Sequence, residues 1–228
     1  MSDALKDFLQ HRRLFVLLGP YGTGKTEVAI NLALLLRQMG RRTALCDLDI
    51  VNPYFRSREK EEMLEAAGVR LVAPPRFTSA GDLPAVPGEL WAAIQDRTLT
   101  AVLDVGGDPA GARVLAAFAE PLNKSDPDVW YVLNRARMGG GTAAQAVDQL
   151  RLVEATCQVS ITGLINNTHL LHETDADTLR QGAAFAEEVA RLSGLPLLLQ
   201  SVRNDLADQA EGPGDIFPLQ LYMNRPWE

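Results

Sequence analysis

Residues 19–26 read Gly-Pro-Tyr-Gly-Thr-Gly-Lys-Thr. Gly19 and Gly24, with Lys25 and Thr26 directly after, reproduce the spacing G-x-x-x-x-G-K-[ST]. An apolar run precedes the segment and a helical pattern follows it. Gly19, Gly22 and Gly24 allow the backbone to curl so that successive N–H groups, that of Thr23 among them, point inward at phosphate oxygens. A helix opening near Lys25 adds the positive end of its dipole. Lys25 is then placed to reach β- and γ-phosphates, and the Thr26 hydroxyl to ligate Mg²⁺. A glycine-rich turn without a ligand could carry the same letters. Against that, one of only four lysines in the chain falls at this position.

Phosphate chemistry also needs carboxylates for a metal ion and for an attacking water. Asp47 and Asp49 close the run Leu-Cys-Asp-Leu-Asp, and Asp104 closes Ala-Val-Leu-Asp, followed by Val-Gly-Gly-Asp. Asp104 with Gly107 three residues on has the form of a Walker-B aspartate with a switch glycine whose N–H senses a γ-phosphate. The bland alternative for an aspartate after a strand is a helix cap or turn, and Asp108 fits that role equally well.

Two segments offer themselves as base readers. Asn123-Lys124-Ser125-Asp126 has the guanine-type NKxD letters, but it follows a helical pattern and precedes a strand, the wrong edge for a nucleotide. Ile165-Asn166-Asn167-Thr168 ends a strand on the correct edge. An amide there supplies both donor and acceptor to the N6/N7 edge of adenine, or closes an Asx turn. Arg203, in Val202-Arg203-Asn204-Asp205 after a later strand, could flank the base.

Other constellations are weaker. His169 and His172 with Glu173 match no zinc motif and lack a third ligand. Met138–Thr142 has the glycines of a second phosphate loop without its lysine. Arg135 and Arg137, at a strand end just before it, could contact nucleotide or partner, or be solvated. Tyr54, Phe55 and Phe77 are expected to pack under loops.

The elements that must position these residues alternate along the chain. Apolar runs at Leu14–Leu18, Thr43–Leu48, Val69–Ala73, Ala101–Val105, Val129–Leu133, Ile161–Asn166 and Leu197–Val202 predict strands. Helical patterns fall between them at Thr26–Met39, Glu59–Ala67, Glu89–Arg97, Ala110–Leu122, Thr142–Ala155 and Asp175–Ser193. The first has Val28, Leu32, Leu35, Leu36 and Met39 on one stripe and Gly40 as its stop. Such alternation predicts an α/β fold, a mostly parallel sheet with helices on both faces, binding ligands at the carboxyl ends of its strands. Pro74–Gly88 is expected to be a long surface loop, within a single domain over residues 1–228.

Composition narrows the partners. With 22 basic and 29 acidic residues of 228, the net charge is −7 and the pI about 5.1. No global basic field for nucleic acid exists, and the only basic doublets are Arg12-Arg13 and Arg41-Arg42. Cys46 and Cys157 form no metal spacing or secreted disulfide framework, so a reducing cytoplasm is the expected home. No membrane span or signal peptide is legible. The C-terminal segment, with two prolines and one basic residue, makes a poor membrane-binding helix.

Gly-Thr-Gly-Lys-Thr-Glu-Val-Ala-Ile-Asn-Leu-Ala, Ala-Leu-Cys-Asp-Leu-Asp-Ile and Leu-Asp-Val-Gly-Gly together resemble the MinD/ParA-type ATPases, over about residues 14–205. Their wider class includes the nitrogenase iron protein and the scaffold proteins of iron–sulfur assembly. The resemblance implies a Mg²⁺-dependent, ATP-controlled switch with slow hydrolysis. Asp49 would orient the attacking water, Asp47 and Asp104 would support Mg²⁺ through water, and Asn167 would bind adenine. A homodimer and an unidentified protein client are the implied partners; the charge balance and the C-terminal segment, rather than the resemblance, argue for no nucleic acid and no membrane anchor.

Two departures matter. The lysine that the family often carries after the first loop glycine is Pro20 here, and the paired cysteines of cluster-binding members are missing. The segment Asp-Leu-Asp-Ile-Val-Asn-Pro-Tyr-Phe-Arg-Ser-Arg-Glu points to a separate bacterial branch, in which Arg56 or Arg58 could supply the charge that Pro20 lacks. An ATP-binding regulatory module with little turnover, or a small-molecule kinase, shares the same loop.

Overall fold

The computed structural model describes residues 2–48, 60–73, 88–107, 109–137 and 141–223. Asp49, Tyr54, Phe55, Arg56, Arg58, Phe77, Asp108 and Met138 lie outside them, as does most of the segment read as a long loop.

Eight strands form one sheet: β1 Leu14–Leu18, β2 Thr43–Leu48, β3 Val69–Val72, β4 Thr100–Val105, β5 Asp128–Leu133, β6 Gly163–Asn166, β7 Leu197–Arg203 and β8 Asp215–Leu219, in the order β3-β2-β4-β1-β5-β6-β7-β8. Every pairing is parallel. The helices are α1 Asp3–His11, α2 Lys25–Gln38, α3 Glu61–Ala66, α4 Gly88–Gln95, α5 Pro109–Ala116, α6 Ala119–Asn123, α7 Ala143–Cys157 and α8 Ala176–Ser193.

A parallel sheet with helices on both faces buries its central strands from both sides, which is why they read as continuous apolar runs. β1 shows this residue by residue. Leu14, Val16 and Leu18 join one core with Leu90, Leu115 and Leu150, whereas Phe15 and Leu17 join the other with Leu9, Val28 and Leu36. Helices α1 to α3 thus cover one face and α4 to α8 the other. The handedness of parallel crossovers requires this: connections stepping one way along the sheet use one face, and those stepping back use the other. The reversal falls at β1, between β4 and β5, and sheets of this kind bind ligands at the carboxyl ends of the strands where the direction reverses.

The predicted stripe of α2 is the buried one. Val28, Leu32 and Leu36 are fully buried, with Leu35 and Met39 packed at its margin. Each fully buried leucine contributes about 1.5–3 kcal/mol. α7 opens with a reciprocal capping box between Thr142 and Gln145, and α8 closes on Gly194 in the left-handed conformation.

Three elements differ from the sequence expectation. The helix read over Ala110–Leu122 is two helices, α5 and α6, broken at Ala117 and Phe118. The amino-terminal residues form α1. The C-terminal segment contributes an edge strand, β8, containing Pro218. Proline is tolerated there because the outer side of an edge strand needs no N–H donor.

Candidate functional site

The phosphate loop leaves the carboxyl end of β1 and runs into α2, whose first residue is Lys25. Gly24, the cap residue, has φ of 87°, a conformation that side-chain-bearing residues rarely adopt. A Cβ there would also lie 2.3 Å from Nδ2 of Asn167. The loop is braced from within: the Pro20 carbonyl accepts from Lys25 Nζ at 3.0 Å and from Thr23 Oγ1 at 2.9 Å. Thr23 and Lys25 are buried.

One wall is built by β2 and β4. Asp47 and Asp104 are register partners on these strands, and both are buried. Thr26 Oγ1 donates to Asp104 Oδ2 at 2.7 Å, so the first turn of α2 is tied to β4. Gly107, just beyond β4, lies against the loop backbone: a Cβ on it would come 2.6 Å from the Tyr21 nitrogen. That close approach to the Pro20 and Tyr21 backbone admits only glycine. A hydroxyl and two carboxylates are hard oxygen donors, the kind that suits Mg²⁺. Among the described residues, no group of three or more His, Cys, Asp or Glu could hold a metal alone.

The opposite wall is built by β5 and β6. The Asn167 N–H donates to the Leu133 carbonyl at 2.7 Å, and its side-chain Nδ2 donates to the Thr23 carbonyl at 2.8 Å. Asn166 turns away and donates to Gln200 at 2.6 Å. Beyond Asn167, His169 lies close to Gly24. Burial, and then the charge of Arg137, push its pKa down to about 4, so the ring is neutral at physiological pH. Its neighbour His172 is exposed, so the two histidines do not converge. Arg137 ends a 3₁₀ turn after β5, and its side-chain stem lies along Gly22.

The structure therefore brings Gly19, Gly22, Thr23, Gly24, Lys25, Thr26, Asp47, Asp104 and Asn167 together. Arg203 stands at the end of β7, where its guanidinium is held by Asp205 and by the Leu171 carbonyl at 2.8 Å. The expected NKxD decoy is at the amino-terminal edge: Asn123 donates to the Gln158 carbonyl, Lys124 pairs with Glu120, and Asp126 pairs with Arg12. The placement of His169 against the loop was missed, because it was weighed only with His172 and Glu173 as a metal site and set aside when no zinc motif fitted. Its place two residues past Asn167 was the available signal. Glu27 was missed as well. Its carboxylate receives the backbone N–H groups of Tyr222 and Met223 at 3.0 and 2.7 Å, and burial raises its pKa above the usual carboxylate range. Nothing in the sequence near Glu27 announces a partner almost 200 positions away.

No curated protein matches the sequence. Among solved structures, the fold is similar to chloroplast FtsY from Physcomitrella patens, with a TM-score of 0.55, 19% identity, and 83% of this chain and 59% of that chain covered. It is similar to the Signal Recognition Particle 54 kDa protein from Aeropyrum pernix in complex with GDP, at 0.52 and 21%, covering 81% and 40%. Cell division protein FtsY from Thermotoga maritima gives 0.51 and 21%, covering 82% and 61%. This chain spans less than two thirds of each of these structures, and at such identities the likeness concerns the fold alone. No helix among the described residues is long and apolar enough to cross a membrane. The match that bears on chemistry is to a family model, aligned from the first loop glycine to Asp205: over residues 19–205 the chain belongs to the CbiA family, the CobQ/CobB/MinD/ParA nucleotide binding domain.

Proposed function

We propose that residues 1–228 work as one Mg²⁺-dependent ATP-binding domain that hydrolyses ATP slowly and acts as a nucleotide-controlled switch. The observation that carries this reading is the 2.7 Å hydrogen bond between Thr26 and Asp104, with Asp47 beside them in register. It links the hydroxyl at the start of α2 to the carboxylate at the end of β4, where a metal-bound phosphate would lie.

The loop N–H groups and the N-terminus of α2 hold the phosphates, and Lys25 moves from the Pro20 carbonyl onto them. Thr26, with Asp47 and Asp104 behind it, orients the metal's ligand shell. Bound there, Mg²⁺ would neutralise charge on the β- and γ-phosphates. Asp49 orients the attacking water. Asn167 reads adenine. Its link to Thr23 uses one amide proton, leaving a second proton and the carbonyl oxygen for the base. Arg203 flanks the base. Slow turnover suits a switch, because the ATP state must persist long enough to be read by a second copy or a protein client.

Calorimetry with ATP in the presence and absence of Mg²⁺, and phosphate release by purified protein, test the proposal. The parent should bind ATP more tightly with Mg²⁺ and release phosphate slowly. Asp104→Asn should lose most of the Mg²⁺ effect, and Asp49→Ala should keep ATP binding but lose turnover. Hydrolysis by Asp49→Ala at the parent rate would transfer the water-orienting role to Asp47. Turnover that needs an added small-molecule acceptor would replace the switch with a kinase.

A further inference from the structure

We propose that Arg137 binds phosphate oxygens of the nucleotide held by the loop, from the β5–β6 wall and within the same chain. This rests on the nucleotide-binding reading and adds a residue to it. The turn that carries Arg137 is fixed by polar groups from two strand ends. Arg135 N–H donates to Thr168 Oγ1 at 3.0 Å, Ala136 N–H to Asn134 Oδ1 at 3.0 Å, and Arg137 N–H to the Asn134 carbonyl at 3.1 Å. Asn134 and Thr168 are buried, so the turn has a firm base.

From that base the Arg137 stem runs along the phosphate loop. Its Cδ, Cγ and Nε lie 3.7, 3.9 and 3.9 Å from where a Cβ on Gly22 would sit. The guanidinium is exposed and has no hydrogen-bond or ion-pair partner among the described residues. Arg135, two residues earlier, differs: its guanidinium donates to Gln181 Oε1 at 2.7 Å. No carboxylate among the described residues competes for Arg137, and His169 beside it is neutral. A guanidinium with open donors therefore stands at the rim of a loop whose backbone N–H groups gather an anion. Its planar fork matches two phosphate oxygens, a geometry a solvated lysine could not reproduce.

A phosphate contact and stacking on the base are separated by a probe that has no base. Inorganic pyrophosphate, ADP and ATP are titrated into the parent, Arg137→Ala, Arg137→Lys and Arg135→Ala by calorimetry, with the ligand-free melting temperature of each variant recorded. Arg137→Ala should weaken pyrophosphate and ADP alike by about ten-fold or more, as expected for a lost charge-assisted contact. Arg137→Lys should recover part of this, and Arg135→Ala should behave as the parent. All variants should melt close to the parent. Parental pyrophosphate affinity in Arg137→Ala would overturn the proposal, and so would weakening confined to the nucleotides, which would put the guanidinium on the base. Loss of affinity accompanied by a lowered ligand-free melting temperature would also overturn it, by making Arg137 structural. A parent protein that binds none of the three ligands would overturn the nucleotide-binding reading itself.

Discussion

At the amino-terminal edge of the sheet, arginines meet protein acceptors. Arg41 donates to the carbonyls of Leu9, Gln10 and Arg12, closing the end of α1. Arg13 donates to Ala93, Ile94, Asp96 and Leu99 at the end of α4, and Arg12 grips Asp126 and Asp128. At the carboxyl-terminal edge, Lys25 lies within the phosphate loop and Arg137 rests along it with an open guanidinium. The cause of the difference is direction. Helices run opposite to the strands they cover, so their carbonyl ends collect at the amino-terminal edge and their N–H ends at the other. Cations at the first edge find backbone acceptors and become structural. At the second edge Lys25 turns back onto the Pro20 carbonyl of the loop and Arg203 is held by Asp205 and the Leu171 carbonyl, whereas the Arg137 guanidinium has no hydrogen-bond or ion-pair partner among the described residues. All four arginines of the basic doublets thus meet protein acceptors, Arg42 donating to Thr98 Oγ1 at 2.6 Å.

Four measurements would break or sharpen this contrast. The largest effect on binding is expected for Lys25→Ala, which should lose about 1.5–3 kcal/mol or more of ATP affinity with little change in ligand-free stability. Unchanged affinity by calorimetry would refute its place in the site. Arg41→Met should do the reverse. Three carbonyls lose their donor, so urea unfolding should show a loss of about 1–3 kcal/mol while ATP affinity stays parental.

The third measurement concerns pH. The folded pKa of His169 is depressed to about 4 from 6.5, so below pH 6.5 the unfolded chain takes up the proton first. Its contribution to stability is complete above pH 6.5 and falls as pH drops toward 4, by about 1 kcal/mol between pH 7 and 5.5. The His169 ring signal in NMR should titrate far below 6.5. It should shift upward when ATP binds, because a polyanion nearby favours the imidazolium. A midpoint near 6.5 would take His169 out of the loop's surroundings. The smallest effect is expected for Asp126→Asn. It removes the last letter of the NKxD segment, yet the ratio of ATP to GTP affinity should not move. A change in that ratio would put base recognition at the opposite edge from Asn167.

The phosphate loop was legible because its chemistry is local. The glycines, lysine and threonine must be contiguous for backbone N–H groups to converge, so a single stretch of sequence carries the whole device. Asp104 was legible for a similar reason, as the end of a strand that could be recognised by its apolar run. The edge strand β8 was not, because a proline and a short run with mixed polarity look the same in a strand and in an irregular tail. Nor was the break between α5 and α6, where a continuous apolar pattern spans a turn.

Sequence alone settled that this chain folds as an α/β sheet around a nucleotide-type phosphate loop, since periodicity and a contiguous motif depend only on near neighbours. Tertiary structure decided which scattered residues share the loop's surroundings. It set Asp47 against Asp104 through strand register, turned Asn167 inward and Asn166 away, and laid Arg137 along Gly22 while Arg135 went to Gln181. Each of these pairs lies one or two positions apart or on separate strands, and their letters are nearly interchangeable. Only the pleat, the twist of each strand end and the packing of α8 separate the two members, because those are long-range facts that no local pattern contains.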